Sequence, residues 1–216
     1  MSAKLTASAK LTATARSTVS AKLSGANLAK TNMTAAYLRG ANLSGARMAK
    51  ANFSLAFLSQ VDLKGADLKG VDFSGAVLTG ARIKGANLKN AIIGQAVTGE
   101  ITGKPAALPH DWVLACGYLV GPEAELRGAV LKGANLKGAN LRDANLVDAV
   151  LLDANLRGAN LTNACLRGAD LTGARLKGAI LQGAILTGAV SSGIVGTPAS
   201  LPVGWELIDG KLTPSI

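Results

Sequence analysis

From Leu23 to Ile93 every fifth residue is large and apolar, fifteen of fifteen, and from Leu126 to Leu186 the same spacing gives thirteen of thirteen, all Leu. Two residues before each stands a small one, Ala in 25 of the 28 units, with Thr31, Val61 and Val71 as the exceptions. Asn or Asp separates the two in half of the units, and Gly closes 17 of them. The unit is A-[N/D]-L-x-G, and 28 copies cover 140 residues. A period of five fits neither the helical 3.6 nor the strand period of 2. In a helix the Leu would wander round the cylinder, and each regular Gly would cost up to ~1 kcal/mol. In a flat strand consecutive Leu would fall on opposite faces. The period is satisfied when each unit forms one side of a coil and the chain turns at every unit. Leu then points to the axis with Ala beside it, a small residue relaxes the corner, and Asn or Asp bonds locally to backbone.

This motif resembles that of the pentapeptide-repeat proteins, and the resemblance directly covers about two thirds of the sequence. It implies an all-β fold, a right-handed quadrilateral parallel β-helix: a solenoid with four pentapeptides per coil and stacked Leu or Phe in the bore. The expected axial residues include Leu43, Phe53, Leu63 and Phe73 in the first run and Leu136, Leu146, Leu156 and Leu176 in the second. Twenty-eight units make seven coils, roughly 34 Å of repeat at ~4.8 Å per coil. Each coil is held by its neighbours only, and open ends expose unpaired backbone that needs caps.

The register breaks between Thr98 and Ala124, where the pattern returns three residues out of phase. The intervening ITGKPAALPHDWVLACGYL recurs at the C-terminus as IVGTPASLPVGWELIDGKL, offset by 93 residues. The reading is a tandem: block one over residues 21–98, a Pro/Trp hairpin insertion over 99–123, block two over 124–191, and a C-terminal Pro/Trp cap over 192–216. In each copy Trp-x-Leu, a short turn and x-Leu read as a hairpin with its apolar residues on one face. Trp112 and Trp205 are expected to be mostly buried caps, each on the last coil of its own block. The competing reading makes 99–123 a recognition loop. Residues 1–20 carry a six-residue period, AKLTAS, AKLTAT, ARSTVS, read as an N-terminal edge coil or a basic arm.

Composition narrows the function classes. Seven aromatic residues are too few to fill a broad globular core. Apolar runs are too short to span a membrane. Lys4, Lys10 and Arg16 are not followed by an apolar signal segment, which reads as a cytoplasmic chain. Cys116 and Cys165 cannot make a disulfide framework, and with His110 as the sole histidine they are too few for a structural zinc site. Neither cysteine has a histidine beside it for nucleophile activation, and the Gly recur as corners rather than as a phosphate loop. No catalytic residue, cofactor site or metal site is expected.

Charge carries more information. The chain has 23 Lys and Arg against 13 acids, a formal +10, and the first 61 residues hold eight positive charges and no acid. Residues twenty apart stack on successive coils, so Lys137, Arg157 and Lys177 form one column, with Arg175 on their face. Lys64 and Lys84 stack on one face of block one and Lys69 and Lys89 on the next. Like charges ~5 Å apart seek anions, and these eight residues are the candidate partner-binding set. Aromatic residues that stack bases are nearly absent from the columns, which argues against single-strand recognition. The best function is a non-catalytic interaction scaffold presenting basic ladders to a protein or other anionic partner, with an end-to-end dimer as one arrangement. Two alternatives stand beside it: direct binding of nucleic acid or another anionic polymer, and gyrase modulation by mimicry of duplex DNA. The resemblance implies the last, but mimicry requires a negative rod, and this chain is positive.

Overall fold

The computed structural model describes residues 21–215, so the reading of 1–20 as an edge coil or basic arm lies outside the described residues. The chain divides into two compact units, Met1–His110 and Asp111–Ile216. In both, parallel bridges join residues twenty apart. Lys22–Asn42, Asn27–Arg47, Asn32–Asn52 and Tyr37–Phe57 open the ladders of the first unit, and Glu125–Asn145, Val130–Val150, Asn135–Asn155 and Asn140–Asn160 those of the second. Four bridge residues, five apart, thus fill each turn of twenty. None of the described residues is helical.

Backbone hydrogen bonding explains the five-residue unit position by position. In the unit of Ala41 to Gly45, Asn42 N–H donates to Ala21 O on the preceding coil, at 2.8 Å. Leu43 N–H and Gly45 N–H donate to Asp62 O and Lys64 O on the next coil, both at 2.8 Å. The N–H of the following Ala46 closes the turn on Leu43 O at 3.1 Å. One donor remains, that of Ser44, and Asn42 Oδ1 accepts it at 3.0 Å. The same side-chain bond recurs at all fourteen Asn and Asp that precede a bore residue, from Asn27 to Asp170. The Asn/Asp of the motif therefore completes the backbone accounting of its own corner.

The last residue of each unit has a positive φ, every fifth position from 25 to 100 and from 123 to 193. Gly takes most of these places, and Asn, Asp, Lys and Gln most of the others, as left-handed backbone favours. Leu43, Phe53, Leu63 and Phe73 are buried in the first unit, and Leu136, Leu146, Leu156 and Leu176 in the second, each with the buried Ala of its own unit, or Val61 and Val71 in the units of Leu63 and Phe73. Phe53 and Phe73 lie one coil apart with ring centroids 5.9 Å from each other. The inward Leu removes apolar surface from water at every coil, which is the main stabilising term of such a stack.

Two features depart from the sequence reading. Residues 99–123 are not wholly an insertion: Thr102 bridges Arg82 and Ala107 bridges Asn87, so the coil continues past 98. Val195 and Ser200 do the same on Arg175 and Ile180. Gly103 and Gly196 make this overlay fit, because a Cβ on either would sit 2.7 Å from the Cβ of Lys84 or Lys177 on the coil before. Only a hairpin then leaves the ladder, β1 (Val113–Ala115) with β2 (Tyr118–Val120), and its counterpart is β3 (Trp205–Ile208) with β4 (Lys211–Pro214). Their turns, Cys116-Gly117 and Asp209-Gly210, have positive φ at both residues, as two-residue hairpins require.

The second correction concerns Trp112. It packs against the core of the second unit. The cause is local: β2 runs directly into Ala124, and Gly121 leaves open the space that the Trp112 indole fills. Tyr118 Oη accepts from Val130 N–H at 3.3 Å, and Asn140 Nδ2 donates to Asp111 Oδ2 at 3.1 Å, tying the hairpin to the first coil of block two. The C-terminal hairpin is tied to the final coil of block two through Ile194 N–H to Gly210 O and Leu212 N–H to Ser191 Oγ. Both Trp residues keep only a minor part of their surface exposed. The second unit thus carries a related hairpin against each end of its coil stack.

Candidate partner-binding surface

Outward positions of a coil are the bridge residue and the two corner residues that follow the bore position. Lys64, Lys69, Lys84, Lys89, Lys137, Arg157, Arg175 and Lys177 all occupy such positions and are all exposed. Lys137, Arg157 and Lys177 follow Leu136, Leu156 and Leu176, and the backbone bonds Gly138 N–H to Arg157 O and Gly158 N–H to Lys177 O hold the three in one column. Arg175 stands on the same face, bridged to Asn155. Among the described residues no carboxylate reaches ion-pair distance of these four cations. Adjacent members are ~4.8 Å apart along the axis.

The first unit is different. Lys64 and Lys84 share a face with Asp62, a buried bridge residue. Arg82 Nη2 donates to Asp62 Oδ2 at 2.9 Å from the next coil, and Lys64 Nζ lies 3.8 Å from the same oxygen. Lys69 and Lys89 stand on the adjacent face with no ion pair among the described residues. Block two also has compensated cations: Arg127 pairs with Asp148 at 3.5 Å, and Arg142 Nε donates to Asp143 Oδ2 at 3.0 Å. The Arg142 bond, with a second from Asn163, holds the Asp143 carboxyl below the usual carboxylate range. Asp170 is likewise lowered, by the Thr172 hydroxyl and then by the Thr172 N–H.

One outward column is not polar at all. Tyr37, Phe57, Val77 and Val97 follow one another on the same face of the first unit, and the Tyr37 and Phe57 rings stack 4.6 Å apart at an interplanar angle of 5°. The sequence reading notes Tyr37 and Phe57 as the aromatic neighbours on one face of block one, and the structure continues that column through Val77 and Val97. Among the described residues, no three His, Cys, Asp or Glu side chains gather into a group able to hold a metal ion. No helix among them is long and apolar enough to cross a membrane.

The family model for pentapeptide repeats matches in eight copies, over residues 19–54, 56–95, 124–163 and 154–190. No curated protein matches the chain. Among solved structures, HetL, a pentapeptide repeat protein involved in heterocyst differentiation regulation in the cyanobacterium Nostoc sp. strain PCC 7120, is 28% identical over 84% of this chain and 87% of its own, with a TM-score of 0.38. The plasmid-mediated fluoroquinolone resistance protein QnrB1 is 18% identical over 79% of each chain, with a TM-score of 0.32. Rfr23 from the cyanobacterium Cyanothece 51142 is 24% identical over 85% of this chain and 88% of its own, with a TM-score of 0.15.

Proposed function

We propose that this chain, which belongs to the pentapeptide-repeat family, is a non-catalytic interaction scaffold whose basic columns bind an anionic partner. In this reading the twenty-residue ladders form a right-handed quadrilateral β-helix, and the flat sides present stacked charges at a fixed rise. The observation that carries it is the column of Lys137, Arg157 and Lys177, with Arg175 beside it: four exposed cations with no carboxylate in ion-pair reach. Holding like charges in register costs energy that a bound anion recovers. Lys69 and Lys89 add a shorter column in the first unit, while Asp62 already offsets part of the charge at Lys64 and Lys84.

The favoured partner is the acidic surface of a protein. Rigid backbone and long Lys and Arg side chains suit carboxylates spread over a surface, and the columns offer no aromatic platform for bases. The test measures affinity of the intact chain for an acidic polypeptide and for a DNA duplex across a salt series, with the triple variant Lys137→Gln, Arg157→Gln, Lys177→Gln alongside. Binding that weakens with salt, and a shallower salt slope in the triple variant, is expected. Absence of binding to either polyanion at low salt overturns the reading. Inhibition of gyrase supercoiling by the wild-type chain at low micromolar concentration would replace it with the DNA-mimicry reading.

A further inference from the structure

The apolar face of the first unit lies apart from the basic columns of that unit, and we infer that it is a docking surface for a second copy of this chain, packed antiparallel. Tyr37, Phe57, Val77 and Val97 occupy the bridge positions of four successive coils. Tyr37 is 51% exposed and Phe57 41%. At the equivalent positions the three other faces of this unit carry mostly Asn, Asp, Arg and Lys. A groove of about 410 Å³ runs along this face, lined by Tyr37, Phe57, Ser59 and Thr79, with Arg39 and Glu100 among its walls.

Order along the face selects the occupant. The two aromatic residues lie at one end of the column and the two valines at the other. Arg39 and Glu100 stand at the same corner at opposite ends, because Gly40 N–H bonds to Ser59 O, Gln60 N–H to Thr79 O and Gly80 N–H to Gly99 O in sequence. Three coil rises separate them, ~14 Å, and neither has an ion pair among the described residues. A two-fold axis along the strand direction, midway between Phe57 and Val77, reverses the coil order and keeps the corner. It sets Arg39 against Glu100 of the second copy twice over, Tyr37 against Val97 and Phe57 against Val77. Large residues meet small ones and each charge meets its opposite, the self-complementarity that an isologous interface requires. A parallel pair would exchange the two corners and leave Arg39 facing the corner of Ala35 and Leu55. A partner peptide would have no free strand edge to pair with, since the ladder bonds are already made between coils.

Leu55 supports a contact here. It sits at the other edge of this face in left-handed backbone, φ 59°, and is 59% exposed. A large apolar residue is unfavourable on both counts in a free surface. In the antiparallel pair it meets Gly75, the position one coil on. Four coils make a patch smaller than the ~800 Å² per partner of a standard interface, so the dimer is a weak one, with Kd in the micromolar range or above.

Sedimentation of the full chain from ~1 µM to ~1 mM, the range that brackets weak association, tests this. A monomer–dimer equilibrium is expected for the wild type. Arg39→Glu and Glu100→Arg alone should each lower the association constant about tenfold or more, and the double reversal should restore it. Circular dichroism of each variant verifies that the coils remain. Sole monomer across the range, a dimer indifferent to the single reversals, or a double reversal that fails to rescue would each overturn the proposal. Polyanion binding by the same variants is read separately, so loss of the dimer and loss of the basic-column activity remain distinguishable.

Discussion

Arg82 Nη2 donates to Asp62 Oδ2 at 2.9 Å across one coil, and Asp62 Oδ1 at the same time accepts Lys64 N–H at 3.1 Å. A single carboxylate therefore finishes a backbone corner and offsets a basic column. The two tasks separate on substitution. Asp62→Asn retains the acceptor for Lys64 N–H and removes the negative charge. Affinity for a polyanion should rise roughly twofold to fivefold, the worth of one partly exposed charge. Equilibrium titration at low salt checks it. Asp62→Ala loses the acceptor as well and should lower thermal stability, which the Asn variant does not do to the same extent.

Leu146→Asp should abolish folding of the second unit, because a carboxylate would be buried in the bore without a partner. Thr162→Asp, at an outward corner, should fold with a melting temperature close to that of the wild type. Circular dichroism and thermal melts of the two variants measure the contrast. Equal behaviour would contradict the inward placement of Leu.

Trp205→Ala should lower stability by about 2 kcal/mol, roughly half of what a fully buried aromatic costs, because the indole is not fully buried. Trp112→Ala should act on the same unit, since both indoles pack against its core. Denaturant unfolding monitored at the remaining tryptophan makes the comparison. An effect of Trp112→Ala confined to the first unit would contradict the assignment of its hairpin.

Acid should weaken the second unit through Asp143 and Asp170. Both carboxyls are held below their ordinary values, by Arg142 with Asn163 and by Thr172. A carboxyl lowered in the folded state adds stability that is full above the unfolded value of about 3.9. That stability is lost as pH falls through the folded value. Melting temperatures should therefore decline below pH ~4. Asp170→Asn keeps an acceptor for Thr172 N–H and should flatten part of that decline.

The inward and corner positions were legible from the sequence because period five leaves no other arrangement. Leu43 or Leu146 has nowhere to go but the axis, and Gly45 or Gly138 must stand where φ turns positive. The final half-coils were not legible. Ile101-Thr102-Gly103 lacks the Ala-x-Leu pattern and the next unit, Ala106-Ala107-Leu108, follows Pro105 out of the regular sequence, yet Thr102 and Ala107 still bridge the coil before. Pairing survives at Thr102 without the motif, because the coil before supplies the template. The packing of Trp112 against block two was not legible either, because proximity in sequence favoured neither side, and the deciding vacancy lies at Gly121. The Asp62–Arg82 pair was hidden for another reason. Both residues are bridge positions on one face, but only their rotamers bring guanidinium and carboxylate together.

The regular recurrence of left-handed corners restricts how such a chain changes length. Removing twenty residues deletes one complete turn and returns every later side chain to its former column. Removing five keeps each Leu inward but rotates all later columns by one side, so Lys177 would no longer stand over Arg157. Removing a number that is not a multiple of five moves a bulky residue onto a corner of positive φ or a corner residue into the bore. Lengthening and shortening therefore come in steps of five, and only whole multiples of twenty preserve a binding face.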